Sequence, residues 1–274
     1  MTDLDISALV EESEARAYAL LVEGGSAPVR AAHGLSINHI GGAHAFMAAG
    51  VRDSMMLNRV VGLGLREPVT QAIVEELDDL YAKNGIANYA AEVAPMGKQG
   101  SLPDVLQRMG FMAFKQTTMM YRANGPLPQV TCDLYVRCVG AEYAEQFAQL
   151  CCSVFGLGEP FPELLMASFR QPRFRHWLAF DGDVPVAAAI TIHIGDGVAW
   201  IGWVCTLTSH RGRGAQAALA LAQLHECVDR GTRWVTLEAA TGSKRRPSQS
   251  LRNYTRLGWN AAYDRMIFLR RLAV

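Results

Sequence analysis

The chain has 274 residues, half of them hydrophobic, which is enough for one large core or, more naturally, two ordinary ones. Basic and acidic residues balance at 26 each, so no global field favours nucleic acid, a membrane surface or a strongly acidic partner. The opening MTDLDISALVEESEARAYALL lacks a basic segment followed by an apolar run, and no later stretch is apolar for the length of a membrane span; a cytoplasmic protein is expected.

In chain order, the apolar spacing predicts a helix over Ser7 to Val22, short strands within Gly34 to Val61, and a helix after Pro68 with Ile73, Leu77 and Leu80 on its inner face. Asn88 to Val93 reads as a strand, Leu102 to Met109 as a helix and Phe111 to Arg122 as a strand rich in threonine and aromatics. The turn-forming run ANGPLPQ, Ala123 to Gln129, marks a break, and the expected domains are 1–125 and 126–274. Beyond it come a strand over Val130 to Val136, a helix over Ala141 to Phe155, a turn at Glu159 to Pro162 and a helix over Glu163 to Phe169. Trp177 to Phe180 and Val184 to Ile194 flank Asp181-Gly182-Asp183 as a hairpin, and Val198 to Thr206 follows a second reversal. A helix from Gly212–Gly214 to Arg230 turns Leu221, Leu224 and Val228 to one side; a strand Trp234 to Ala239, a helix Ser248 to Leu257 and a strand Asn260 to Leu272 close the chain. The order repeats, with Leu106 to Phe111 answering Tyr254 to Trp259. Cys132, Cys138, Cys151, Cys152, Cys205 and Cys227 have no zinc-ligand spacing and read as reduced core or strand residues, and His33, His39 and His44 form no compact metal motif; no metal is expected.

The segment carrying chemistry follows the strand ending WIGWVCTLT. Gly212 and Gly214 let backbone amides approach a ligand, the next helix leaves its first amides unpaired, and Arg211 and Arg213 add charge. This is an anion site or, equally on composition, an arginine-glycine turn that starts a helix. It is neither a P-loop nor a dinucleotide fingerprint, so nucleotide hydrolysis and hydride transfer are poorly supported.

Thr206 to Gln216 and Ser250 to Trp259 resemble the two main signatures of the general-control-related N-acetyltransferase (GNAT) family. Arg211 and Gly214 match its pyrophosphate loop, and Gln216 departs from the small residue usual there. The resemblance covers Val130 to Leu272 and extends in degenerate form to the first half, where Gly110 and Phe111 match but the turn Gly62 to Pro68 has no arginine-glycine loop. It implies a mixed α/β (α+β) chain of two tandem GNAT-like domains, each a splayed mixed sheet flanked by helices, the second holding acyl-CoA between its central parallel strands. It further implies acetyl-CoA or another acyl-CoA as donor, with Thr206, Leu207, Thr208, Arg211, Gly212, Arg213, Gly214, Ala215, Gln216, Ser250, Asn253 and Tyr254 around it.

Tyr254, four residues before Gly258, matches the family tyrosine that protonates the departing thiolate, and a phenol starts protonated at neutral pH. The family's asparagine seven residues earlier is Pro247 here. Glu238, near a strand end, is the first choice of base and His193 the second, with Asp196 and Glu159 behind them. NHIGGAH (Asn38 to His44) and FGLGEPF (Phe155 to Phe161) suit either a pocket wall or ordinary turns, and Phe155, Phe161 and Trp203 favour a partly apolar acceptor if they meet. The expected activity is acyl transfer to a small-molecule or peptide amine by a monomer or homodimer; the alternatives are a noncatalytic acyl-CoA sensor or interaction module, and a purely structural protein.

Overall fold

A computed structural model describes residues 3–243 and 246–273. They form two compact units, neither an unbroken run of chain: one comprises 3–15, Ala27–Met119 and 262–273, the other Arg16–Ser26 and Met120–Ala261. The elements in order are α1 (Asp3–Gly24), α2 (Ala27–His33), β1 (Leu35–Ile40), β2 (Ala43–Ala48), β3 (Arg59–Val61), α3 (Gln71–Lys83), β4 (Asn88–Val93), β5 (Met96–Gly97), β6 (Gly100–Ser101), α4 (Leu102–Arg108) and β7 (Met112–Ala123). There follow β8 (Tyr135–Val139), α5 (Ala144–Phe155), α6 (Phe161–Ser168), β9 (Phe174–Asp181), β10 (Val184–Gly195), β11 (Val198–Thr206), α7 (Ala215–Asp229), β12 (Trp234–Ala240), β13 (Gly242–Ser243), β14 (Arg246–Pro247), α8 (Gln249–Arg256) and β15 (Asn260–Arg271). Among the described residues no helix is long and apolar enough to cross a membrane.

Among the described pairings each unit has a parallel pair beside antiparallel ones. In the first, β1–β2, β2–β3 and β4–β15 are antiparallel and β3–β4 parallel; in the second, β8–β9, β9–β10 and β10–β11 are antiparallel and β11–β12 parallel. A parallel pair needs a long crossover, and α3 and α7 supply it. The pairing of β11 with β12 runs only from Val198↔Trp234 to Ile201↔Leu237, although both strands continue. Past Ile201 and Leu237 they part, which is the expected splay.

The cores follow these crossovers. In the first unit Val74, Leu77 and Tyr81 of α3 pack with Leu102, Val105 and Leu106 of α4 over Val60, Tyr89 and Ala91. Opposite polarity governs the α1 side, where Glu11 and Glu14 are buried against Arg265; Arg265 also pairs with Glu92 at 3.0 Å, and Arg59 with Glu92 at 2.8 Å. In the second unit Ala220, Leu224 and Cys227 of α7 pack with Tyr254 and Leu257 over Ala199, Ile201, Val235 and Leu237. All six cysteines are free thiols, four of them buried.

Several local expectations shift. The inner face of α7 is Leu219, Ala220, Gln223, Leu224 and Cys227, and Val228 is exposed, because the helix turns the stripe one position away from Leu221 and Val228 toward the sheet. The helix expected after Pro68 begins at Gln71, since Thr70 accepts a hydrogen bond from the Ile73 amide at 3.3 Å and caps it there. Val130 to Leu134 precedes β8 instead of belonging to it: Val130 and Leu134 turn inward, and the Cys132 thiol donates to the Arg213 carbonyl. NHIGGAH is a tight hairpin turn between β1 and β2, with the His39 and His44 rings 4.7 Å apart.

Candidate functional site

The second unit's site starts where β11 ends. After Thr206 the Leu207 amide donates to the Val186 carbonyl at 2.9 Å, and Thr208–His210 makes one 3-10 turn. Arg211 is extended, then Gly212 and Gly214 take φ of 84° and 83°. At Gly214 a side chain is excluded twice: the backbone is left-handed, and a Cβ would lie 3.0 Å from the Thr131 carbonyl oxygen. Helix α7 begins at the next residue with no side-chain cap, so its first-turn amides are left for something else to accept from. They open on a cavity of about 930 Å³ walled by Thr206, Arg211, Gly212, Gly214, Ala215 and Gln216, with Ser250 and Asn253 of α8 opposite.

The two loop arginines divide their work. Arg211 lines the cavity and is exposed. Arg213 does not: its guanidinium lies 2.5 Å from Asp133 Oδ2 and 2.6 Å from Asp181 Oδ2 and holds both carboxyls below their usual range. Expected beside the ligand, Arg213 instead pins the loop from behind, with His210 reaching Asp181 at 3.3 Å. Leu207 and Thr208 are likewise not cavity-lining; Leu207 packs into the cluster around Trp177 and Ala187.

Gln216 is the junction of the site. Its amide nitrogen donates to Ser250 Oγ at 2.9 Å, its oxygen accepts from Asn253 Nδ2 at 2.7 Å, and it faces the Tyr254 phenol and favours its ionised form. One carboxamide on the first turn of α7 thus meets three residues of α8 spaced so that they share a face. Tyr254 is 2% exposed, its ring edge-on to Trp259 at 5.3 Å; burial pushes the phenol up to about 12, against the opposing pull of Gln216. It is therefore protonated at neutral pH.

The candidate bases are not gathered here. His193 pairs with Ala199 whereas Ala187 pairs with Thr206, so the imidazole stands about 20 Å along β10 from the loop, where it meets Glu226 at 3.4 Å. Asp196 belongs to the same remote turn, its carbonyl accepting from Arg233 at 2.8 Å. Glu159 is exposed ahead of α6. Glu238 lies one residue past the last β11–β12 pair, half-buried, on the face opposite Leu237 and Ala239; it stands at the split but does not line this cavity. Side chains that do line it and that sequence reading passed over are His210, Gln249 and Arg256. Gln249, Asn253 and Arg256 recur at helical spacing, a polar face legible in the sequence.

The first unit differs at the corresponding positions. The amide end of α3 is closed by Thr70, and the position answering Tyr254 is the fully buried Leu106.

Residues 142–259 match the acetyltransferase (GNAT) family. No curated protein matches the sequence. Among solved structures, a GCN5-related N-acetyltransferase from Kribbella flavida is similar over 96% of this chain and 95% of its own, at 20% identity and a TM-score of 0.66. A GCN5-related N-acetyltransferase from Sphaerobacter thermophilus is similar over 73% and 67%, at 17% identity and 0.60. A tandem GNAT protein from the clavulanic acid biosynthesis pathway is similar over 78% and 75%, at 17% identity and 0.58. The chain thus has the fold of these GNAT proteins, and its residues 142–259 match the acetyltransferase (GNAT) family.

Proposed function

We propose that the chain transfers an acyl group, in the first instance acetyl, from acyl-CoA to an amine. The second unit carries the donor site, and the first is a degenerate copy of the same fold. The observation that carries this reading is the uncapped start of α7 at Gly214, opening with Arg211 onto the cavity, set against the self-capped start of α3 at Thr70. The pyrophosphate oxygens accept from the α7 amides and Arg211, with Arg256 within the same cavity.

In direct transfer the neutral amine attacks the thioester carbonyl, the carbon–sulfur bond breaks, and the thiolate takes a proton. Tyr254, protonated and held by Gln216, is the donor of that proton. The new ammonium gives up its own proton to water, since Glu238, at the strand split, does not line this cavity.

Calorimetric titration with acetyl-CoA, followed by a thiol-release assay over an amine panel, tests this. Binding with thiol release and a mass-shifted amine supports transfer; absence of binding to folded protein removes it. The second reading, a noncatalytic acyl-CoA sensor, is favoured by the near-complete burial of Tyr254, and binding without turnover would select it.

A further inference from the structure

The cavity has a second end of different chemistry. Away from the loop it is walled by Val154 and Phe155 of α5 and by Val204 and Cys205 of β11. Phe155 is 45% exposed, yet its ring is held edge-on to Trp203, centroids 6.1 Å apart at 81°. Behind it the aromatic contacts continue: Trp203 lies 5.7 Å from Phe161 and 6.3 Å from Tyr18, and Tyr18 stands 5.7 Å edge-on to Trp200. Phe155 is thus the exposed face of a rigid aromatic stack.

The backbone is bent to put it there. Trp203 has φ of 55°, a conformation an aromatic L residue rarely adopts. It sits where the pairing of β11 with β10 slips, between Ala188↔Cys205 and Ile190↔Gly202, just past Ile201, the last β11 residue paired with β12. A bulge re-aims side chains, and this one aims an indole at the strand split.

Charge points the same way. The charged side chains in the cavity wall are Arg211 and Arg256, and His210 is the other titratable nitrogen base; no Asp or Glu is among the described lining residues. A polyamine or a lysine-rich peptide would find cations and no carboxylate partner there.

We infer that the acceptor is an amine carried on an aromatic or similarly flat apolar group, which rests on Phe155 with Trp203 behind it. This depends on the acyl-transfer reading above. The ring is held by offset or edge contacts with Phe155, the apolar end excludes water around the attacking nitrogen, and the arginines stay with the donor's phosphates.

The test compares 2-phenylethylamine, n-butylamine and spermidine as acceptors of acetyl from acetyl-CoA, in the wild type and in Phe155→Ala. The wild type is expected to favour phenylethylamine in kcat/KM by about tenfold or more over the other two, and Phe155→Ala to collapse that ratio to near unity, since one well-placed aromatic contact discriminates on this scale. Calorimetry is expected to find acetyl-CoA affinity within about threefold of wild type in the variant, since Phe155 stands at the end away from the phosphates. A preference for spermidine, an equal loss on all three amines, or a loss that grows with the donor's acyl chain length would overturn the inference. Failure of the donor reading shows separately, as no acetyl-CoA binding. Should acetyl-CoA bind without turnover, saturation-transfer NMR of the three amines on the CoA-loaded protein decides: phenylethylamine signals lost in Phe155→Ala support the site, and no phenylethylamine contact rejects it.

Discussion

Replacing Gln216 by leucine keeps roughly the same volume and removes a carboxamide that three α8 side chains use. The losses are unequal. Ser250 and Asn253 are only partly buried and can turn to water, so each costs about 0.5–1 kcal/mol. Tyr254 is 2% exposed, and a buried hydroxyl left without its partner costs about 1–3 kcal/mol. The sum is about 2–5 kcal/mol, mostly through Tyr254, and is read as a fall in the urea midpoint at unchanged slope. The assignment to Tyr254 has its own check, a double-mutant cycle. Tyr254→Phe in the Gln216→Leu background removes the orphaned hydroxyl, so the second change is expected to be nearly neutral or stabilising, whereas Tyr254→Phe alone destabilises. If transfer is found, the two substitutions are also non-additive in kcat. A Gln216→Leu protein within about 0.5 kcal/mol of wild type, or strictly additive losses, would mean that Gln216 does not tie α7 to α8.

Gly214→Ala places a Cβ in a left-handed backbone and 3.0 Å from the Thr131 oxygen; stability should drop by about 1–2 kcal/mol and acetyl-CoA affinity with it, as calorimetry reads, and unchanged affinity would detach this glycine from the donor site. Arg213→Ala removes the clamp on Asp133 and Asp181, so both carboxyls should titrate nearer the ordinary range by NMR, while Arg211→Ala leaves them where they are. Burial raises Glu11 to about 7 despite the attraction of Arg265. The folded chain then holds a proton between pH 4.5 and 7 that the unfolded chain releases, so this group makes stability fall as pH rises through that window, by about 3 kcal/mol, and stay level above it. His176, which burial lowers to about 3, acts oppositely: below 6.5 the unfolded chain takes up a proton the folded chain refuses, so stability is lost as pH falls from 6.5 toward 3. Urea unfolding of Glu11→Gln against wild type at pH 5 and pH 8 isolates the first effect, and identical pH dependence in the two proteins would count against it.

Features that depend on neighbours along the chain were legible before any fold was known. Strand β4 over Asn88–Val93, β11 over Val198–Thr206 and the start of α7 just past Gly214 were legible because alternation, turn glycines and unpaired helix amides are local matters. The pairing of the Arg211 loop with the Tyr254 segment was legible for a related reason, two short motifs at a fixed order. Tertiary structure alone decided which partners distant residues find. Arg211 and Arg213 are two residues apart with the same charge, yet one lines the cavity and the other is taken by Asp133 and Asp181, which lie far off in sequence. His193 went to the remote end because it sits beside the β10–β11 turn, and β11 runs away from that turn to reach the loop. Gln216, in sequence only a departure from a small residue, became the link between α7 and α8 once packing brought Ser250, Asn253 and Tyr254 to it. Helix α1 divides between the units at Ala15 and Arg16, and β15 returns to the first at Ala262, because long-range strand pairing and buried ion pairs set those boundaries, and neither leaves a mark in local composition.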